Sequence, residues 1–175
     1  MGLTALAGAC ACTGLSTASP AVRHTRFATC RSTRLALTVG KYGEAATQFT
    51  QTFTFVNATR STCRLGGWPR FQVANDSSRP VKTTTRRVRQ NSPRDPAWKT
   101  VVLAPRHAAS FDVYGADYDL IHNVACPKTS TVAITPPNNT TPIFVRVRLP
   151  HCGAFYVAPV IPGRVDRAAW SFVVR

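Results

Sequence analysis

From residue 30 onward, apolar side chains recur at every second position in short runs broken by Pro, Gly, Asn and Ser, and no 3.6-residue period is sustained over three turns. Short alternating runs of this kind predict strands with one buried face. Leu35, Leu37 and Val39 alternate inward along a first strand, and Phe49, Gln51, Phe53 and Phe55 share one face of a second. Gly40 to Gly43 carries the turn signals between them, while Thr50, Thr52 and Thr54 fall on the opposite face and are expected to meet water. Val132 with Ile134, the break Pro136-Pro137-Asn138-Asn139, and Ile143, Val145 and Val147 predict a later hairpin. Phe71 with Val73, Val101 to Leu103, Phe111 with Val113 and Phe155 with Val157 bring the total to about eight strands, the pattern of a sandwich. The predicted fold is all-β, an immunoglobulin-like antiparallel β-sandwich over residues 30–163. Residues 164–175 hold Trp170, Phe172 and Val174 at alternate places, as a final edge strand or a tail.

The cysteines strengthen this reading. Cys10 and Cys12 fall in the N-terminal stretch, leaving Cys30, Cys63, Cys126 and Cys152 for the domain. Four cysteines allow three pairings. The start of one strand of an antiparallel hairpin lies beside the end of the next, which places Cys30 near Cys63 across the first hairpin and Cys126 near Cys152 across the second. Two such bridges, each closing about thirty residues, would stabilise the fold by roughly 3 to 4 kcal/mol apiece on the chain-entropy estimate. The same region offers a competing metal set, His122, Cys126, His151 and Cys152. Adjacent His151 and Cys152 point to opposite faces of an extended chain, and exported thiols oxidise, so no metal is expected.

Export is the expectation from the N-terminus. Leu3 to Leu15 is rich in Ala, Gly, Thr and Leu without charge, and Ser16-Thr17-Ala18 offers a cleavage site of small residues. Residues 1–18 therefore read as part of a signal peptide. No Lys or Arg precedes Arg23, so the true signal is expected to start further upstream. A run of Ala, Gly and Ala ending at Cys10 offers lipid attachment as the alternative to secretion. No run of 18 apolar residues occurs, so no membrane-spanning helix is expected.

Charge changes the picture most. Twenty-two Lys and Arg stand against seven Asp and Glu, a net charge of +15 that favours anionic partners. Residues 74–99 hold Arg79, Lys82, Arg86, Arg87, Arg89, Arg94 and Lys99 and are expected to form a mobile basic insertion. In Ile143 to Leu149, Arg146 and Arg148 alternate with the apolar set and should project outward near Phe144. The candidate basic surface is thus Arg86, Arg87, Arg89, Arg146 and Arg148.

Cys30 followed by Leu35, the stretch Phe53-Thr54-Phe55-Val56-Asn57-Ala58-Thr59, Thr62-Cys63-Arg64-Leu65 and Gly67-Trp68-Pro69 occur in that order. Val102-Leu103-Ala104-Pro105, Cys126, Cys152-Gly153 and Pro159-Val160-Ile161-Pro162-Gly163 follow. In this order the chain resembles the exported actinobacterial family of domain of unknown function 4232, over residues 30 to 163. Arg106 stands where that family usually has Gly. The resemblance implies an exported or lipid-anchored β-sandwich with two disulfides and brings no catalytic or binding residue with it.

Candidate chemistry is sparse. His107, Ser110 and Asp112 lie close in sequence, but Ser110 and Asp112 alternate with Phe111 and Val113 and are expected to form a wet strand face. Asp117 and Asp119 supply only part of the six to eight oxygens calcium takes. Asn57-Ala58-Thr59, Asn75-Asp76-Ser77 and Asn139-Thr140-Thr141 match the glycosylation sequon, which matters only in a eukaryotic host. No phosphate-cradling Gly loop or dinucleotide fingerprint occurs, and no cofactor is expected. The sequence therefore predicts a non-catalytic cell-envelope module whose basic face meets anionic polymer, lipid headgroups or an acidic protein. Nucleic-acid binding is the alternative that charge allows, disfavoured by export and by the lack of a helix-turn-helix, zinc-finger or ribonucleoprotein motif. A hydrolase ranks third.

Overall fold

The computed structural model describes residues 1–2, 27–75, 77–89 and 99–163. In chain order its strands are β1 (Leu35–Ala45), β2 (Gln48–Asn57), β3 (Cys63–Leu65), β4 (Arg70–Ala74), β5 (Thr84–Arg87), β6 (Val101–Leu103) and β7 (Ala108–Ala116). These are followed by β8 (Tyr118–Asp119), β9 (Val124–Ala125), β10 (Lys128–Thr135), β11 (Ile143–Pro150), β12 (Cys152–Val157) and β13 (Ile161–Pro162). One 3₁₀ turn, Ser32–Arg34, precedes β1. The fold is all-β, and among the described residues no helix is long and apolar enough to cross a membrane.

The largest sheet has the order β1-β2-β7-β12-β5, with β13 also on β7; a second has the order β11-β10-β4, and β3-β6 and β8-β9 form two-stranded ribbons. The alternation of the sequence sets what faces inward. Phe49, Gln51, Phe53 and Phe55 of β2 sit opposite Gly115, Val113, Phe111 and Ala109 of β7. Facing them from the smaller sheet are Phe71, Val73, Val132, Ile134 and Leu149, all in one buried cluster. The rings of Phe53 and Phe155 both meet that of Phe71, at 6.2 and 4.9 Å between centroids, joining the two sheets.

Four expectations are corrected. Gly40 to Gly43 is not a turn: β1 continues through it, and the ladder slips between Val39 and Tyr42 as a β-bulge. The buried Gln51 side chain explains how this is tolerated, because its Nε2 donates to the Gly40 and Lys41 carbonyls at 2.9 and 3.3 Å. The chain reverses instead at Ala46 and Thr47, whose φ values of 47° and 68° place both in the left-handed region required by a two-residue hairpin loop. Val39, beside the bulge, is exposed rather than inward.

Secondly, Thr50, Thr52, Thr54, Ser110 and Asp112 do share the face opposite the aromatic core, yet all are buried. Four of them pair with one another rather than meeting water. Thr52 Oγ1 donates to Asp112 Oδ1 at 2.7 Å, and the Thr54 and Ser110 hydroxyls pair at 2.9 Å. Thirdly, the basic stretch is in part a strand: β5 runs alongside β12 from Ala154↔Thr84 to Val157↔Arg87. That pairing is parallel, so the large sheet is mixed rather than purely antiparallel. Finally, thirteen strands are present among the described residues instead of about eight, the additions being four residues long at most.

Both disulfides join the expected partners, Cys30 to Cys63 and Cys126 to Cys152, with Cα–Cα distances of 5.0 and 5.4 Å. The readings of residues 1–18 and 164–175 lie outside the described residues, apart from Met1 and Gly2.

Candidate functional site

A cleft of about 440 Å³ has Arg64, Arg70, Arg87 and Trp68 in its lining. Each arginine comes from a different strand. On β3, alternation turns Leu65 into the core and leaves Arg64 exposed. The first disulfide holds this strand in place, because Cys30 N donates to the Arg64 carbonyl at 3.0 Å and Arg64 N to the Ala28 carbonyl at 2.9 Å. Arg70 begins β4, and one of its guanidinium nitrogens donates to the Asn139 carbonyl at 3.3 Å.

Arg87 ends β5, and its position is set by Trp68. The indole Nε1 donates to the Val88 carbonyl at 2.6 Å, and the Arg87 guanidinium carbon lies 5.9 Å from the centre of the same ring, in cation–π range. Val88 N in turn donates to the Val157 carbonyl at 3.0 Å, extending the β5-β12 ladder past the strand end. Where Gly66 lines the cleft, an added Cβ would lie 3.1 Å from Thr100 Oγ1, so the backbone approaches that residue closely. Among the described residues the lining holds no Asp or Glu, and no carboxylate forms an ion pair with Arg64, Arg70 or Arg87.

Comparison with known families supplies the one assignment. The family model described as Domain of unknown function (DUF4232) matches residues 30–160, most of the chain. The chain belongs to the DUF4232 family. No curated protein and no solved structure matches it.

The residues singled out from the sequence of this DUF4232 domain are dispersed. Arg86, Arg87 and Arg89 are exposed on and just beyond β5, whereas Arg146 and Arg148 are exposed on β11, beside a half-exposed Phe144. Of these five arginines, Arg87 alone lines the cleft. Arg64 and Arg70 escaped notice as site residues because they lie singly in short strands, and nothing local shows that β3, β4 and β5 converge. Their isolation between apolar neighbours was the available signal.

His107 is exposed, and the Ser110 hydroxyl turns to Thr54 and to the Gly163 carbonyl at 2.7 Å, so the three residues of a hydrolytic set are not assembled in the DUF4232 domain. Asp119 Oδ2 meets His122 Nδ1 at 2.7 Å, which holds the carboxyl below the ordinary carboxylate range. The thiols of the candidate metal set, Cys126 and Cys152, are bonded to each other. The sequon asparagines are structural. Asn57 is fully buried with Nδ2 donating to the Ser61 and Leu103 carbonyls, Asn75 Oδ1 accepts from the Ser77 and Arg79 amides, and Asn139 clamps the N-terminal segment.

Proposed function

We propose that this domain is an exported, non-catalytic module of the bacterial cell envelope, of immunoglobulin-like sandwich type, that holds anionic partners on its basic surface. The observation carrying this reading is that arginines are exposed on two separate strands, Arg86 and Arg87 on β5 and Arg146 and Arg148 on β11, in a chain of net charge +15. Like charges set out on a rigid scaffold attract polyanions from a distance and are screened by salt. Two disulfides and the absence of a membrane-crossing helix among the described residues are compatible with export. A shared core between two facing sheets supports the sandwich type.

The test is binding to anionic envelope polymer, to vesicles with anionic headgroups and to an acidic protein, each at about 50 and 500 mM salt, where the screening length falls severalfold. Steep loss of binding with salt, and weaker binding when Arg86, Arg87 and Arg89 are replaced together, are expected. Salt-independent binding, or no binding at low salt, refutes the reading. Duplex DNA as a fourth partner tests the nucleic-acid alternative, which a preference for DNA over all three would favour.

A further inference from the structure

We propose that the cleft between β3, β4 and β5 recognises a phosphate group carried on a larger molecule, with Arg64, Arg70 and Arg87 as its ligands. This deepens the reading above and rests on it for the choice of an anionic partner. Three features select phosphate. Arginines from three strands line one cleft and, among the described residues, no carboxylate lines it or pairs with them, so the site is cationic and uncompensated there. Guanidinium forks match phosphate oxygens through paired donors, and a tetrahedral group accepts from several directions where a planar carboxylate offers two oxygens in one plane. Arg87 is already positioned by the Trp68 ring and by the Trp68 bond to Val88, so less side-chain freedom is lost when an anion arrives.

The size of the space indicates that the phosphate is a substituent rather than the whole ligand. A second groove of about 500 Å³ shares Arg70 and Arg87 with the first and continues over Pro142 and Phe144. Its walls add Pro80 and Ala133, apolar surface suited to the body of a molecule whose phosphate sits in the first cleft. The outward Arg146 and Arg148 line neither space, which separates this site from the general basic surface.

The experiment is calorimetric titration of the folded domain, disulfides intact, with inorganic phosphate, a glycerol-phosphate oligomer and phosphatidylglycerol vesicles, with sulfate as the control. Arg64→Gln combined with Arg70→Gln should weaken oligomer binding by about tenfold or more, as expected for the loss of charge-assisted hydrogen bonds. Arg146→Ser with Arg148→Ser, at positions that line neither space and act only through the screened field of the basic surface, should weaken it by a distinctly smaller factor than the cleft pair. Trp68→Phe, which keeps a ring but removes the N–H, should weaken it by a smaller factor; unchanged melting temperatures certify folding of each variant. Tighter binding of oligomer than of phosphate identifies a polymer source, and tighter binding of vesicles a lipid headgroup, both upholding the site. Equal weakening by the cleft and β11 variants, or equal binding of sulfate and every phosphate probe, overturns the cleft while leaving the basic-surface reading intact. Cleft-dependent phosphate binding together with salt-independent capture of polyanions overturns that broader reading and upholds the site.

Discussion

Asn139, in the turn between β10 and β11, donates its Nδ2 hydrogen to the Cys30 carbonyl at 2.9 Å while its Oδ1 accepts from Ser32 N at 2.9 Å. One side chain thereby sews the turn of the smaller sheet to the segment entering the larger one, beside the first disulfide. Asn139→Ala leaves these part-buried backbone groups without partners and should lower stability by about 1–3 kcal/mol, measured by urea denaturation. Asn139→Asp keeps the acceptor and removes the donor, so it should fall between Ala and the parent at pH 7.

A second prediction concerns packing. A Cβ on Gly115 would lie 2.7 Å from Phe49 Cε1 and 3.0 Å from its Cζ, with Phe155 also close. Because Phe49 is held in the buried cluster, Gly115→Ala should destabilise by about 1–3 kcal/mol through overpacking. Combining it with Phe49→Leu should cost less than the sum of the single changes, as a double-mutant cycle would reveal.

The hairpin loop offers a stabilising change. Ala46 and Thr47 both adopt left-handed φ, a conformation costly for residues with a Cβ and easy for Asn-Gly. Ala46→Asn with Thr47→Gly should raise stability by about 0.5–2 kcal/mol and leave the circular dichroism spectrum unchanged. No gain in melting temperature would show that the loop is not under conformational strain.

The Asp119 and His122 pair predicts a pH dependence. His122 holds the Asp119 carboxyl below its ordinary range. A carboxylate depressed in the folded state contributes stability above its unfolded pKa of about 3.9, and loses it as pH falls through the lower folded value. Nuclear magnetic resonance titration should show Asp119 protonating at a lower pH than in the His122→Ala variant. The accompanying stability change should be small, because the pair is solvent-exposed.

The elements legible in the sequence were those with a long alternating signal. Phe53 and Phe55 announced β2, and the distances of Cys126 and Cys152 from the Pro136 to Asn139 break announced the second bridge. Alternation identified the two faces of β2 and β7 but not that both are buried, since Thr52 and Asp112 read the same whether they meet water or each other. Gly40 and Gly43 misled because glycine serves bulges as well as turns, and the compensating amide, Gln51, lies on the next strand. The candidate cleft was illegible for a related reason: Arg64, Arg70 and Arg87 are brought together by three pairings that no local pattern encodes.

The parallel pairing of β5 with β12 also has a kinetic consequence. β1 with β2 and β10 with β11 are hairpins that close over short stretches, whereas β5 must wait for a strand synthesised far later in the chain. Contacts between distant segments form at a high entropic cost and tend to be made late. Arg70 on β4 depends likewise on the distant β10, so the cleft is completed in the closing stage of folding, and an intermediate lacking β5 would carry an incomplete cleft. Substitutions at the β5-β12 seam should then accelerate unfolding while leaving the folding rate nearly unchanged.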